Sequence, residues 1–427
     1  MTSLGVQLRD EIVVLRDAAR LLWRHWPVLL VLYLLGMAGR ELSIYLAVEG
    51  SAVNVWLGAA LLPFAPLSLM IAVLLMLDAV GPSLWHGPAR QDKLTLLAGA
   101  LVPFLAVYSA QGLLRTDRER FLNEAVADEY LNDSYLFDAT TIQSRTIADV
   151  DPTVMIVVIL VVLLVRRLLD WTGATKKNLV ARLFAAWLEV AWLTWLASLL
   201  LAEFETLQAW IEQRVFVDWA LNGWEAFLDL IGPVAVPVSA VTGWIGALLT
   251  DMNALVVLPL AWLTTGAVVY GGTLTSRSLG VSALSPRLTW SARQFARAQE
   301  RVGLLPQPVQ GWVTSVGKAL FARFTTLMGG LRTLAVGGIV PMVLFCLAFL
   351  VSRYAEAATA EVIRWVLGPR EAGQMVAFDS YVRIASTSVS LLLQVTLVAA
   401  AVDRLLVTAR RLAAAAPSET SAAPTTP

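Results

Sequence analysis

The chain has 427 residues, of which 58% are hydrophobic and 15% are charged, and its formal net charge is zero. A mean hydropathy of +0.69 excludes an ordinary soluble globular protein, because so much apolar surface cannot be buried in one or two water-soluble cores. The single cysteine, Cys346, excludes an intramolecular disulfide. We expect no nucleic-acid partner.

Long apolar runs predict membrane-spanning helices, because a helix rising 1.5 Å per residue needs about 20 residues to cross roughly 30 Å of hydrocarbon. We therefore predict an all-α fold, in which residues 27–411 form one polytopic transmembrane helix bundle of about eight spans within the lipid bilayer. The predicted spans are 27–48, 55–79, 94–110, 153–169, 183–202, 253–275, 333–352 and 384–402.

The segments between the predicted spans form two alternating sets with opposite charge. One set carries 22 basic and 8 acidic residues, and it comprises the N-terminus, 80–93, 166–182, 276–332 and the tail from 403. The other carries 9 basic and 21 acidic residues, and it comprises 49–54, 111–152, 203–252 and 353–383. Because arginine and lysine concentrate in cytoplasmic loops, we predict that both termini are cytoplasmic. We expect the membrane to be the plasma (inner) membrane of a bacterium.

Interfacial amphipathic helices are predicted on the cytoplasmic face. Residues 1–26 have the pattern of an amphipathic helix, and so do residues 305–328 within the basic inner segment 276–332. This basic segment is either a surface feature that orients the spans or a contact site for anionic lipid or an acidic partner. The tail, 412–427, is too poor in large apolar residues to fold and is predicted to be disordered.

The predicted outer segments are 111–152, 203–252 and 353–383. One or two short helices are expected within 111–152, with its acidic residues in solvent. The segment 203–252 contains four tryptophans and ends in an apolar stretch, 231–249, that glycine and proline interrupt. On this outer face we expect tryptophan-anchored interfacial helices, followed by the apolar stretch, which is either re-entrant or lies on the membrane surface.

The first span contains two adjacent charged residues, Arg40 and Glu41. A central arginine costs about 2.5–3.5 kcal/mol on insertion, so its guanidinium requires a protein partner or a water-filled pocket. Gly36 and Gly39 would let another helix approach closely at this level. The run also resembles a signal-peptide core with a cleavage site near Gly39, but apolar residues resume after the glycines, which disfavours cleavage.

Two polar residues in other spans are candidate partners for Arg40. They are Glu189 in the fifth span and Gln394 in the eighth. With Arg40 and Glu41 they would form either a polar clasp between helices or a substrate, ion or proton site, unless the span limits differ. Glu189 alone could instead extend to the inner interface.

No enzyme signature is found. His25 and His86 are the two histidines, and neither has a carboxylate or cysteine at ligand spacing. The chain also lacks a glycine loop for nucleotides and a nucleophile elbow. No catalytic residue, metal site or cofactor is therefore predicted.

These features favour a transporter or permease that moves a small molecule or lipid through a polar site between helices. One alternative is a non-catalytic scaffold or assembly factor whose outer face binds another protein of the cell envelope. The other alternative is a membrane-embedded, lipid-linked transferase that uses acids of the outer segments, which abound in 117–151.

Overall fold

The computed structural model describes residues 4–84, 104–105, 107–109, 111–132, 151–174, 178–212, 253–270 and 339–415. Within these ranges the regular structure is helical, without strands. The helices are α1 (Leu4–Val53), α2 (Val55–Leu61), α3 (Phe64–Val80), α4 (Leu113–Asn132), α5 (Pro152–Trp171), α6 (Leu179–Glu212), α7 (Leu258–Tyr270), α8 (Ile339–Leu367) and α9 (Ala372–Ala415).

Four helical segments of the described chain are long and apolar enough to cross a membrane, which identifies a helical protein compatible with membrane embedding. They are Ile12–Val53, Val55–Ser83, Pro341–Leu367 and Gly373–Val407. A shorter apolar helix covers Leu255–Tyr270. On α8, the side chains of Val343, Leu347 and Val351 form one exposed apolar stripe, as expected of a surface that faces lipid.

Several helices extend beyond the predicted boundaries. From residue 4 onward, the predicted helix 1–26 and the span 27–48 form one continuous helix, α1, which contains Pro27. The predicted outer segment 353–383 is also mostly helical. Only a short turn separates α8 from α9, at Gly368, whose φ of +69° suits the left-handed residue that ends a helix.

The predicted span 55–79 is divided by a turn at Leu62–Pro63 into α2 and α3. Pro63 has no N–H, so it cannot donate to the carbonyl of Ala59 four residues earlier. The indole Nε1 of Trp195 donates to this carbonyl at 3.1 Å, and Trp187 Nε1 donates to Ala60 O at 3.1 Å. Two tryptophans of α6 thus complete the hydrogen bonds of the α2 end.

The described residues divide into two compact units. Unit 1 lies within Met1–Val31, Leu74–Phe104 and Pro259–Pro427, and unit 2 lies within Leu32–Val73 and Leu105–Leu258. In unit 1, α8 and α9 form an antiparallel hairpin, and Trp262 of α7 packs on Phe349 of α8 with ring centroids 6.4 Å apart. Tyr270 at the end of α7 donates a hydrogen bond to Leu77 O at 2.7 Å.

In unit 2, α1 packs closely on α3 where small residues meet. A Cβ added at Gly36 would overlap the Cβ of Ala72, and one added at Gly39 would lie 2.9 Å from Ser68 Cβ. The Ser68 hydroxyl donates to Gly36 O at 3.3 Å. The predicted close approach at these two glycines is therefore confirmed.

Helices α5 and α6 occupy the predicted spans 153–169 and 183–202. Asp151 caps the start of α5 by accepting the backbone N–H of Thr153 at 2.7 Å. Hydrogen bonds from the side chain and backbone of Thr153 lower the pKa of this exposed carboxyl. Most of the predicted span 94–110, the stretch 231–249, the segment 276–332 and the tail beyond 415 lie outside the described residues.

Candidate functional sites

Arg40 lies in a buried network with Tyr108 and Asp117, and these three residues are 5%, 0% and 2% exposed. Arg40 Nε donates to the Tyr108 hydroxyl at 3.2 Å, and that hydroxyl donates to one carboxylate oxygen of Asp117. The other carboxylate oxygen forms an ion pair with Arg40 Nη2. One positive and one negative charge therefore close a ring of three side chains with no net charge.

A second layer of charged groups covers this ring. Glu41 Oε1 lies 3.7 Å from Arg40 Nη1 and 2.5 Å from Arg120 Nη1. Arg120 Nη2 is also 3.5 Å from Glu124. The side chains of Glu41 and Arg120 are 37% and 26% exposed, so this layer reaches the surface whereas the ring does not.

A break in the helical backbone brings Tyr108 and Asp117 to the same guanidinium. Gly112 has a φ of +75°, which a residue with a side chain rarely adopts, and it lies in the turn at 111–112 between the helical residues 107–109 and α4. Gly112 N donates to Ser109 O at 2.9 Å, and Thr116 N donates to Gly112 O at 3.0 Å as α4 begins.

Helix α4 runs parallel to the second half of α1. Arg40 pairs with Asp117 and Glu41 with Arg120, so the contacts advance in the same direction along both helices. Further along, Ile44 and Val48 of α1 share a buried apolar cluster with Phe121 and Ala125 of α4. The network is thus the first of a series of contacts that hold α4 along α1.

The predicted solvation of the outer acids is wrong for Asp117, which sequence analysis did not select as a site residue. A signal for it exists, because the buried positions of α4 are 114, 117, 121 and 125, which is helical spacing. Asp117 therefore lies on the apolar stripe of an otherwise polar helix. Engaged in the ion pair, it is not one of the solvent-facing acids that a transferase would use.

Glu189 does not join Arg40 in this network. It is 4% exposed on α6, where its Oε2 lies 3.5 Å from Nε of Arg166 on α5. The α5–α6 hairpin therefore has its own interhelix ion pair, between the fourth and fifth predicted spans. Glu189 is held by a protein partner within unit 2.

Gln394 belongs to unit 1 and lies within the α8–α9 hairpin. It is 4% exposed, and its Nε2 donates to Ser390 Oγ at 2.8 Å, while that hydroxyl donates to Ser352 O at 3.0 Å. Nearby, the Thr387 hydroxyl donates to Glu356 at 2.8 Å. These bonds form a polar seam between two apolar helices, a common way of holding membrane helices together.

Unit 1 also contains a charged pocket with a volume of about 260 Å³. Its charged lining consists of Asp17, Arg20 and Arg24 from α1 and Asp403 and Arg404 from α9. Ser83 lies in the wall, where His25 Nε2 is 2.8 Å from its hydroxyl oxygen. Across the described part of unit 1, neither the Arg20 nor the Arg24 guanidinium forms an ion pair or a hydrogen bond.

No protein-family model, curated protein sequence or solved structure matches the chain. Among the residues with described side chains, no group of three or more histidine, cysteine or acidic residues could hold a metal ion. Chemically, the Arg40 ring has no net charge and links α1 to α4, whereas the lining of the pocket carries three basic and two acidic side chains.

Proposed function

We propose that the chain is a multi-pass membrane protein of transporter or permease type, which moves an anionic small molecule or lipid. The observation that carries this proposal is the pocket of unit 1, where two arginines without a described partner line a cavity beside apolar, membrane-length helices. The sequence has no nucleotide-binding loop, so an ion gradient or a partner subunit would supply the energy.

The proposed topology has about eight spans with both termini in the cytoplasm of a bacterial cell. The charge alternation between the connecting segments supports it. The parallel course of α1 and α4 is a second support, because α4 then points in the same direction as the first span. This is the direction that a third span between 94 and 110 would have.

In this proposal the hydrocarbon ends near Arg40 on the outer side. Helix α4 carries acidic and basic side chains along residues 41–53 of α1, and charged groups in such number cannot enter hydrocarbon. With 50 residues, α1 is about 75 Å long and far exceeds the roughly 30 Å of hydrocarbon. Its last turns then lie outside the membrane together with α4.

We expect single cysteines at Arg293 and Asn132, introduced into a Cys346→Ser background, to react oppositely with a membrane-impermeant maleimide. In intact cells the cysteine at 132 should be labelled and the cysteine at 293 should not, and cell lysis should make both reactive. Labelling of position 293 from outside intact cells would contradict the proposed topology.

For transport, we expect cells that lack the protein to differ from complemented cells in the distribution of at least one anionic metabolite or lipid. Arg20→Gln/Arg24→Gln (R20Q/R24Q) should fail to restore this distribution at normal protein levels, because both positive charges of the pocket are removed. The measurement is mass spectrometry of cell extracts, growth medium and the two membrane leaflets. The control is R364Q/R370Q, two exposed arginines of unit 1 outside the pocket lining.

An unchanged distribution of every anionic compound would contradict the transport proposal. The scaffold alternative would then be favoured by cross-links from α4 to one stoichiometric envelope protein. Helix α4 supports that alternative because it exposes Tyr130 and Leu131, which are 62% and 78% exposed, near its end.

A further inference from the structure

We infer that the pocket of unit 1 recognises a phosphate group, carried either by a lipid headgroup or by a soluble phosphate ester. This inference deepens the proposed function, since it names the chemical class of the cargo for the same pocket.

The two arginines of α1 present their guanidinium groups together. Arg20 and Arg24 are four residues apart, so they lie one turn apart on the same face of the helix and both line the pocket. Arg404 of α9 lines the same cavity. A ligand between α1 and α9 would therefore meet cationic groups from both helices.

The carboxylates of the pocket leave this positive charge in excess. Asp17 Oδ1 lies 4.0 Å from Nη2 of Arg16, a residue that does not line the pocket. Asp403 is 8% exposed and, like Arg404, already takes part in a hydrogen bond or electrostatic interaction. Arg20 and Arg24 form no hydrogen bond or ion pair with described residues, and the three basic and two acidic residues of the lining leave a net positive charge for an anion.

Charge and geometry favour phosphate over carboxylate. A phosphate monoester carries about −1.5 to −2 charges at neutral pH and offers three oxygens, so two planar guanidinium groups can each bind two of them by sharing one oxygen. A carboxylate, with one charge and two oxygens, would satisfy only one of the two guanidinium groups. Apolar side chains of Leu21, Leu84 and Val407 complete the wall and could contact the carbon part of the ligand.

The test is isothermal titration calorimetry of the purified full chain in phosphate-free maltoside micelles. The probes are pyrophosphate, dihexanoyl phosphatidic acid and dihexanoyl phosphatidylcholine, which is the control without net charge. We expect saturable binding of one molecule of phosphatidic acid or pyrophosphate per chain. R20Q/R24Q should weaken it at least about tenfold, because two charge-assisted contacts are lost.

The two anionic probes separate the sources of the phosphate. Binding of phosphatidic acid alone supports a lipid headgroup, binding of pyrophosphate alone supports a phosphate group on a soluble compound, and binding of both supports a site for the phosphate group itself. The inference is overturned if neither probe binds, if phosphatidylcholine binds equally well, or if R364Q/R370Q weakens binding as much as R20Q/R24Q does.

A charge-conserving variant, R20K/R24K, covers the case in which R20Q/R24Q does not fold. It keeps both charges but removes the planar forks, so we expect weaker binding of the same probe, and unchanged affinity would overturn the inference. Binding without any change of cellular distribution would contradict transport alone. A changed distribution without phosphate binding would contradict this inference alone.

Discussion

Asp117→Ala is expected to lower the free energy of unfolding by about 3–5 kcal/mol, because it leaves the Arg40 charge buried without its carboxylate. Tyr108→Phe should cost about 1–3 kcal/mol, since it removes the hydroxyl that joins Arg40 to Asp117 while both charges remain paired. The measurement is the unfolding of the purified protein in mild detergent, followed by thermal melting and by titration with a denaturing detergent.

Two further variants separate a clasp from a functional site. Glu119→Ala removes an exposed ion pair of the same helix, with Arg115, and should change stability by at most about 1 kcal/mol. Arg40→Met/Asp117→Leu replaces both buried charges by apolar groups and should recover most of the lost stability. Wild-type stability of Asp117→Ala would contradict the clasp. If the double variant is stable but does not restore the cellular distribution of the anionic compound, the ring is a functional site instead.

Gly36→Ala is expected to destabilise the protein by about 1–3 kcal/mol, because the added Cβ overlaps the Cβ of Ala72 and forces α1 away from α3. Thermal melting in the same detergent measures the effect. Gly373→Ala is the matched control, since a Cβ at that position meets nothing within 4 Å, and it should be neutral or stabilising by up to about 1 kcal/mol.

A double substitution tests whether the overlap with Ala72 causes the loss of stability. Gly36→Ala/Ala72→Gly moves the methyl group from one helix to the other, after which the nearest remaining atoms around the new Cβ are Ser68 O at 3.5 Å and Leu69 Cα at 3.6 Å. These are ordinary contacts, so the double variant should regain nearly the stability of the original protein. If it stays as unstable as Gly36→Ala, the overlap is not the cause.

Hydropathy alone was sufficient to predict the membrane-length helices. The apolar runs around 27–48, 55–79, 333–352 and 384–402 became parts of four membrane-length helices, since apolar composition and length decide both properties. Helix ends were less predictable. Pro27 lies inside α1 rather than at its start, because tertiary packing can retain a helix through a proline.

The sequence did not predict which residues pair with the buried charges. Arg40 was predicted to need a partner, and its partner is Asp117. Asp117 lies on α4, a helix whose polar sequence is typical of a solvated loop. Glu189 likewise has a partner, Arg166, which closes the neighbouring helix hairpin. Pairings of this kind depend on which helices become neighbours, and single-helix patterns do not encode that.

The order of synthesis gives the Arg40 ring a consequence for assembly. Tyr108 follows Arg40 by 68 residues, and Asp117 comes nine residues later. At about 5–20 residues per second, the ribosome delivers this carboxylate only some 4–15 s after the arginine. Until then Glu41 is the acidic residue beside this guanidinium, so we expect the buried ring to close only after translation has passed the apolar run 94–110.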